Sequence, residues 1–303
     1  MACRFNRKPP SDEERDARRK ADRERLEHAA RTLLTTEGWQ RWIKVRASNG
    51  LSRYSVSNQL LIALDCWSRG IAPTYVAGFR AFLDLNRCVR KGEKAIRILA
   101  PVAVKERDEH GEETGEKRLF FRTVPVFDVS MTDPLPNKEP IPLSPPSQPI
   151  TGDTHHHLIA PLVAHAAQLG YTVEFRQLPD DGPGGWCDAK RKQIVVATGP
   201  ANQKVRTLTH EIAHAHGLGY ADLGRERCEV LVDCVTYCVL GSVGLDVGGE
   251  SIPYVAGWGE DGELDAIREY AQTIDTIARR IEDALAAQAT QATDVTTSGA
   301  LAA

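Results

Sequence analysis

His210-Glu211-Ile212-Ala213-His214 sets two imidazoles four residues apart, with a carboxylate directly after the first. On an α-helix, residues at that spacing are turned by only about 40°, so both rings reach one metal ion from the same face. Two histidine nitrogens suit Zn²⁺. A glutamate in this position is not a ligand but a base toward a zinc-bound water, so His210 and His214 are the expected ligands and Glu211 the expected catalytic residue. The surrounding residues 202–217 read as one helix. Val205, Leu208, Ile212 and Ala213 back the histidines, and Gly217 stands where a helix commonly ends.

A catalytic zinc site needs a third protein ligand. Residues 225–240 carry Val230, Leu231, Val232, Val235, Val239 and Leu240, a pattern expected for a buried helix. Glu229 and Asp233 lie four apart inside that run. Carboxylates buried without partners cost several kcal/mol, roughly, so a metal is the natural reason for them. Glu229 is the expected third ligand, with Asp233 accepting a hydrogen bond from a ligand histidine. Glu226 precedes the apolar stretch and is expected in solvent. Tyr254 is a further candidate: its hydroxyl could stabilise an oxyanion, with packing as the competing role.

His210-Glu211-x-x-His214 followed by Glu229-x-x-x-Asp233 resembles the gluzincin zinc peptidases, in particular their small ImmA/IrrE-like members. The resemblance implies that His210, His214 and Glu229 hold Zn²⁺ and that Glu211 activates water for peptide-bond hydrolysis. The chain departs from the common pattern at His216, where many such proteases have a hydrophobic residue, and in the text Glu229-Val-Leu-Val-Asp233.

These elements sit in a chain of 303 residues, 42% hydrophobic and 26% charged, which suits two soluble globular domains. No apolar run approaches a membrane span, and the N-terminal residues lack a signal peptide's hydrophobic stretch, so no membrane partner and a cytoplasmic location are expected. The seven cysteines agree, being odd in number and without a Cys-x-x-Cys. Charge divides unevenly. Residues 1–132 hold 26 Lys and Arg against 18 Asp and Glu (+8), and the rest hold 12 against 23 (−11). A basic half beside an acidic half suggests an anionic partner for the first.

Ser11-Asp12-Glu13-Glu14 is a capping box opening a charged helix to about residue 35. Trp39, Trp42, Ile43 and Val45 begin a core, residues 57–67 read as a helix, and residues 75–83 as a short strand or turn entering a helix. Residues 94–104 and 119–128 read as a hairpin whose long polar tip spans 105–117. Seven prolines within residues 134–149 read as an extended linker. Residues 153–168 are expected as a helix, and 171–178 and 193–198 as strands whose edge could pair with an extended substrate. Leu264, Ile267, Ala271, Ile274, Ile277, Ile281 and Leu285 mark a final amphipathic helix. The run His155-His156-His157 invites a second metal site, but at the start of a helix successive residues point in different directions, so a ligand role is not expected, and His165 is expected to pack or cap.

Between residues 53 and 97 positive and aromatic side chains interleave, as phosphate neutralisation and base stacking require. Arg53, Tyr54, Asn58, Gln59, Phe79, Arg80, Arg90, Lys91 and Lys94 are the candidate DNA contacts. Ser57-Asn58-Gln59-Leu60-Leu61-Ile62, Val76-Ala77-Gly78-Phe79-Arg80, Val89-Arg90-Lys91-Gly92-Glu93-Lys94, Ile98-Leu99-Ala100-Pro101 and Val126-Phe127-Asp128-Val129-Ser130 resemble, in order, the N-terminal domain of ArdC-like antirestriction proteins. That resemblance implies single-stranded DNA binding and a bacterial mobile-element context, with a metallopeptidase-like domain following. Asn86 and Ala95 stand where the family often has glycine.

The expected fold class is therefore α+β. Residues 1–132 form a DNA-binding domain with a small antiparallel sheet, 133–152 a proline-rich linker, 153–288 a zincin-like domain with a short sheet and a helix bundle, and 289–303 a disordered tail. The leading functional expectation is a zinc peptidase delivered by single-stranded DNA binding, acting on a protein such as a restriction enzyme or repressor. The alternatives are a non-catalytic DNA-binding antirestriction protein with structural zinc, and an ImmA/IrrE-like protease cleaving a DNA-bound repressor.

Overall fold

A computed structural model describes residues 11–48, 51–107, 113–141, 143, 148–179, 182–246 and 264–299. The elements in order are α1 (Asp12–Arg31), α2 (Thr36–Ala47), α3 (Val56–Ser68), β1 (Val76–Ala77), α4 (Phe79–Asp84), β2 (Arg87–Val89), β3 (Ile96–Arg107), β4 (Glu113–Asp128), β5 (Thr132–Pro134), β6 (Gln148–Pro149), α5 (Ile159–Gln168), β7 (Thr172–Arg176), β8 (Gly185–Asp188), β9 (Gln193–Ala197), α6 (Ala201–Ala215), α7 (Tyr220–Leu223), α8 (Arg225–Ser242), β10 (Leu245–Asp246) and α9 (Leu264–Gly299). The architecture is mixed α+β with small sheets.

Local chemistry sets many of the boundaries. The Ser11 hydroxyl accepts from Glu14 N while the Glu14 carboxylate accepts from Ser11 N, the reciprocal cap that starts α1. Thr35 caps α2 through Gly38 N at 3.1 Å. The long hairpin β3–β4 is antiparallel, with Ile96 opposite Val126, and β1 adds along β4. Its pairing persists past Lys105 to Arg107 opposite Glu113, so the tip is shorter than the polar sequence suggests. Main-chain pairing is indifferent to side-chain polarity once the strands are in register.

In the second half the sheet order is β7-β9-β8. β7 and β9, both expected, run parallel, while β8 lies antiparallel along β9 and forms an edge. β8 falls between the two expected strands, where none was expected. α5 begins at Ile159 rather than near 153, because Asp153 is engaged elsewhere: its Oδ1 accepts from Ala201 N at 2.5 Å and starts α6. The expected disordered tail is also corrected. α9 continues to Gly299 through a Thr-rich end of low helix propensity, as the extension of a helix already nucleated upstream; residues 300–303 lie outside the described residues.

The expected division at residues 133–152 does not carry through to the packing. Trp39, Trp42, Ile43, Leu60 and Leu61 from the first half share one buried cluster with Leu208, Ile212, Val232, Val235, Ile274 and Ile281 from the second. A smaller cluster under the hairpin holds Val45, Ile62, Val76, Ile96, Ile98 and Val126. Within the proline-rich segment, Leu135 N donates to Asn86 O and Ile141 N to Leu85 O, and Pro149 pairs in parallel with Asp246. α2 and α8 approach closely at Gly241: a β-carbon there would stand 2.8 Å from Ala47 Cβ and 2.9 Å from Ala47 O.

A polar knot crosses the same core. Arg46, fully buried, binds Asp275 Oδ1 at 2.5 Å and both oxygens of Glu282 at 2.9 Å. Gln59 accepts from the Trp42 indole at 3.0 Å and donates to Asp275 at 3.1 Å. Arg279 joins Asp275 at 2.9 Å and donates to Tyr54 O.

Candidate metal centre

α6 presents Gln203, Thr207, His210 and His214 along one face, as its 3.6-residue turn requires. Its opposite face, with Val205, Leu208, Ile212 and Ala213, is buried. The helix ends at His216, and Gly217 takes a φ of 103°, a left-handed conformation that turns the chain toward α7 and α8. α8 then runs past α6 and carries Glu229 and Asp233 toward the histidines.

The two rings are oriented by protein acceptors. His210 Nδ1 lies 3.2 Å from Asp233 Oδ1, and His214 Nδ1 donates to Leu218 O at 2.9 Å. Each ring thereby keeps Nε2 free of those acceptors, the arrangement that second-sphere partners impose on ligand histidines. His210 Nε2 is 3.4 Å from Glu229 Oε2, and His214 Nε2 is 3.8 Å from Glu229 Oε1. One ligand atom from each of His210, His214 and Glu229 falls within 4.8 Å of the others. Ligands on a tetrahedral zinc with bonds of about 2.05 Å stand about 3.3 Å apart, close to the 3.4 and 3.8 Å that separate Glu229 from the two histidines. The nitrogen, nitrogen and oxygen donor set fits Zn²⁺.

The burial differs from expectation. Asp233 and Glu229 side chains are 42% and 32% exposed, not buried, although Cys228, Leu231, Val232, Cys234, Val235 and Cys238 around them are. α8 shows the carboxylates at an open margin, and its apolar residues fill the core behind. Glu226 is exposed, as its position suggested.

Glu211 is 5% exposed. Burial pushes its carboxyl up to about 7, against the pull of His210 and with the help of Glu229. β8 crosses close above it. A β-carbon on Gly185 would stand 2.6 Å from Val195 O, 2.7 Å from the Thr207 methyl and 3.4 Å from Glu211 Oε1, so only glycine permits this approach. Burial lowers the His214 pKa; for His210 burial acts the same way, but the bond to Asp233 and the charges of Glu211, Asp233 and Glu229 raise it overall.

Sequence reasoning missed Tyr220. Its hydroxyl donates to Glu229 Oε1, its ring edge meets His214 at 5.6 Å, and the bond to Glu229 pushes its pKa up to about 12. No spacing rule points to it, because the turn at Gly217 and α7 bring it there. Tyr254 lies outside the described residues. His155 is buried and bonded to Thr154 Oγ1 and Val243 O at 2.9 Å each, while His156 and His157 are exposed. His216 shares a 2.9 Å contact with His165.

The candidate DNA contacts separate into two groups. Asn58 and Gln59 are corrected: Asn58 bonds both ways to the Leu99 backbone, and Gln59 is buried in the polar knot, so neither side chain is available to a ligand. Arg53 and Tyr54 both bond Val76 O, and Arg53 stacks on Tyr75 at 4.8 Å. Arg90 is held by Glu93, Asp133 and Ser130 O. Phe79, Arg80, Lys91 and Lys94 are exposed.

Residues 26–127 match the N-terminal domain of anti-restriction factor ArdC. Among curated proteins no significant match was found. The fold resembles the metal-free crystal structure of antirestriction ArdC protein from R388 plasmid, with a TM-score of 0.53, 19% identity, and coverage of 86% of this chain and 97% of that one. A Mn(II)-bound structure of the same plasmid protein aligns at a TM-score of 0.46 and 17% identity, covering 86% and 98%. The chain is thus ArdC-like by sequence over residues 26–127 and by fold over most of its length. Among the described residues no helix is long and apolar enough to cross a membrane.

Proposed function

We propose that the chain is an antirestriction-type protein that binds single-stranded DNA and hydrolyses peptide bonds at a zinc site formed by His210, His214 and Glu229. The observation that carries the hydrolytic reading is the convergence of three ligand atoms beside the buried Glu211 carboxylate. A purely structural site has no use for Glu211. When bound, Zn²⁺ supplies Lewis acidity, lowering the pKa of a coordinated water and polarising a carbonyl. Glu211 holds the proton taken from the attacking water and returns it to the leaving amine. Asp233 and Leu218 O fix the histidine rings, and Tyr220 holds one oxygen of Glu229. The free edge of β8, next to Glu211, lays out an extended peptide by main-chain pairing.

The match of residues 26–127 to an antirestriction N-terminal domain supports DNA binding by the first half, and the exposed Phe79, Arg80, Lys91 and Lys94 provide a ring to stack and cations for phosphates. Because the core is shared, the test uses the full chain. Zinc-loaded protein should bind single-stranded oligonucleotides more tightly than duplex, with affinity falling as salt rises, and should cleave a denatured protein mixture that its Glu211→Gln form leaves intact. Cleavage by neither form, with zinc bound at one equivalent, removes the enzymatic reading in favour of a metal-stapled binding protein. Equal affinity for single strand and duplex removes the single-strand preference.

A further inference from the structure

One turn before His210 on the ligand-bearing face of α6 lies a small depression of about 30 Å³, lined by Gln203, Lys204, Thr207, Gly184 and Gly199 with Ala197 and Thr198. A β-carbon on Gly184 would sit 3.4 Å from Thr207 Oγ1, and one on Gly199 3.8 Å from Gln203 Oε1, so side chains at either position would fill it. Two waters need about this much room, so the space suits a carboxylate or amide and excludes a ring.

Of its polar groups, Thr198 Oγ1 donates to Gln177 Oε1 at 2.6 Å and Gly184 O accepts from Ala197 N, whereas the side chains of Gln203, Lys204 and Thr207 make no hydrogen bond to another residue among the described residues. Thr209 and Thr236 bond back to the carbonyls of Val205 and Val232 at 2.8 Å, the usual resource of a helical threonine. Thr207 makes no such bond among the described residues, and its hydroxyl faces the depression. Lys204 likewise has no acidic partner among the described residues. Its contact is with the Phe175 ring, 5.9 Å from the ammonium, which supports the stem and leaves the charge at the rim. A hydroxyl, an amide and an ammonium thus surround a space that holds one short acceptor group.

We infer that this depression is a substrate subsite that selects a carboxylate side chain, Asp or Glu, one or two residues from the bond broken at Glu211. The inference rests on the peptidase reading for the position of that bond. Thr207 precedes Glu211 by one helical turn, about 5.4 Å, and an extended peptide advances about 3.3 Å per residue. A chain paired with the edge of β8 therefore passes Gly184–Gly185 with a side chain turned into the space.

The test separates binding from hydrolysis. Zinc-loaded Glu211→Gln protein is offered a positional library of labelled extended peptides, and affinity is read by fluorescence polarisation. At one position Asp or Glu should be preferred over Asn or Gln by about tenfold, the effect of one charge-assisted bond. Adding Lys204→Met should abolish that preference, and Lys204→Glu should turn it toward Lys and Arg. The lysine stem is partly exposed, so both variants should fold. Absence of acidic preference, absence of peptide binding, or a preference unmoved by either lysine variant would each overturn the subsite. Wild-type protein is then given the preferred peptides. Acid-selective binding without cleavage would leave the subsite and remove the peptidase, whereas cleavage without the preference would do the reverse.

Discussion

Two clusters of ionisable groups in this molecule use the same residue types in opposite ways. Around Arg46, two carboxylates, two guanidiniums, an amide and an indole bond one another, and the cluster lies in the core between the first half and α9. Around His210, two imidazoles bond outward, to Asp233 and Leu218 O, and turn their remaining nitrogens toward the same region as the Glu229 carboxylate. Closure among the groups themselves marks scaffold. Convergence on a position that none of them occupies marks a site for something else.

Substitutions can break that contrast. The largest effect is expected at Glu211: Glu211→Gln should lower peptide turnover by about 10²- to 10⁴-fold with zinc content unchanged, read by cleavage rate and metal analysis. Zinc loss in that variant would move Glu211 into the ligand set. Next is Arg46→Met, which leaves Asp275 and Glu282 without their main partner and should lower the unfolding free energy by roughly 3–5 kcal/mol in denaturant titration. Coupling it to Asp275→Leu should recover part of the loss. An additive double variant would mean that the two do not act as a pair.

Smaller effects sharpen the comparison. Asp233→Asn should weaken zinc about 10- to 100-fold in a chelator competition, because His210 loses its charged acceptor. Tyr220→Phe should cost only about 1 kcal/mol in the same assay, one hydrogen bond to a ligand oxygen. Equal losses from the two would place Tyr220 on a par with Asp233 in orienting the ligands.

How much of this could be read from residues alone depended on range. α6 and α8 are legible because periodic apolar positions and Gly217 define them locally, and the ligand spacing is a property of one helix. β8 is not, since four residues opening on a glycine and carrying one exposed Trp186 give no alternation. The shared core is not either: Trp39 and Ile274 reveal that they are buried, not against whom. Asn58 and Gln59 misled for a related reason. A polar pair at the start of an apolar helix looks offered to a ligand until Leu99 and Asp275 arrive from 41 and 216 residues away.

The approach of Gly241 to Ala47 bears on how such chains can be recombined. The clash that a larger residue at 241 would suffer involves the Ala47 carbonyl as well as its methyl, so trimming position 47 to glycine gives no relief. The tolerance lies with 241 alone. That residue is twelve positions beyond Glu229, about 18 Å along the same rod, where any splaying of α8 is transmitted to the ligand carboxylate. A hybrid gene joining this second half to a foreign first half would keep the spacing of Glu229 to His210 and His214 only if the incoming helix crossed α8 at the same point.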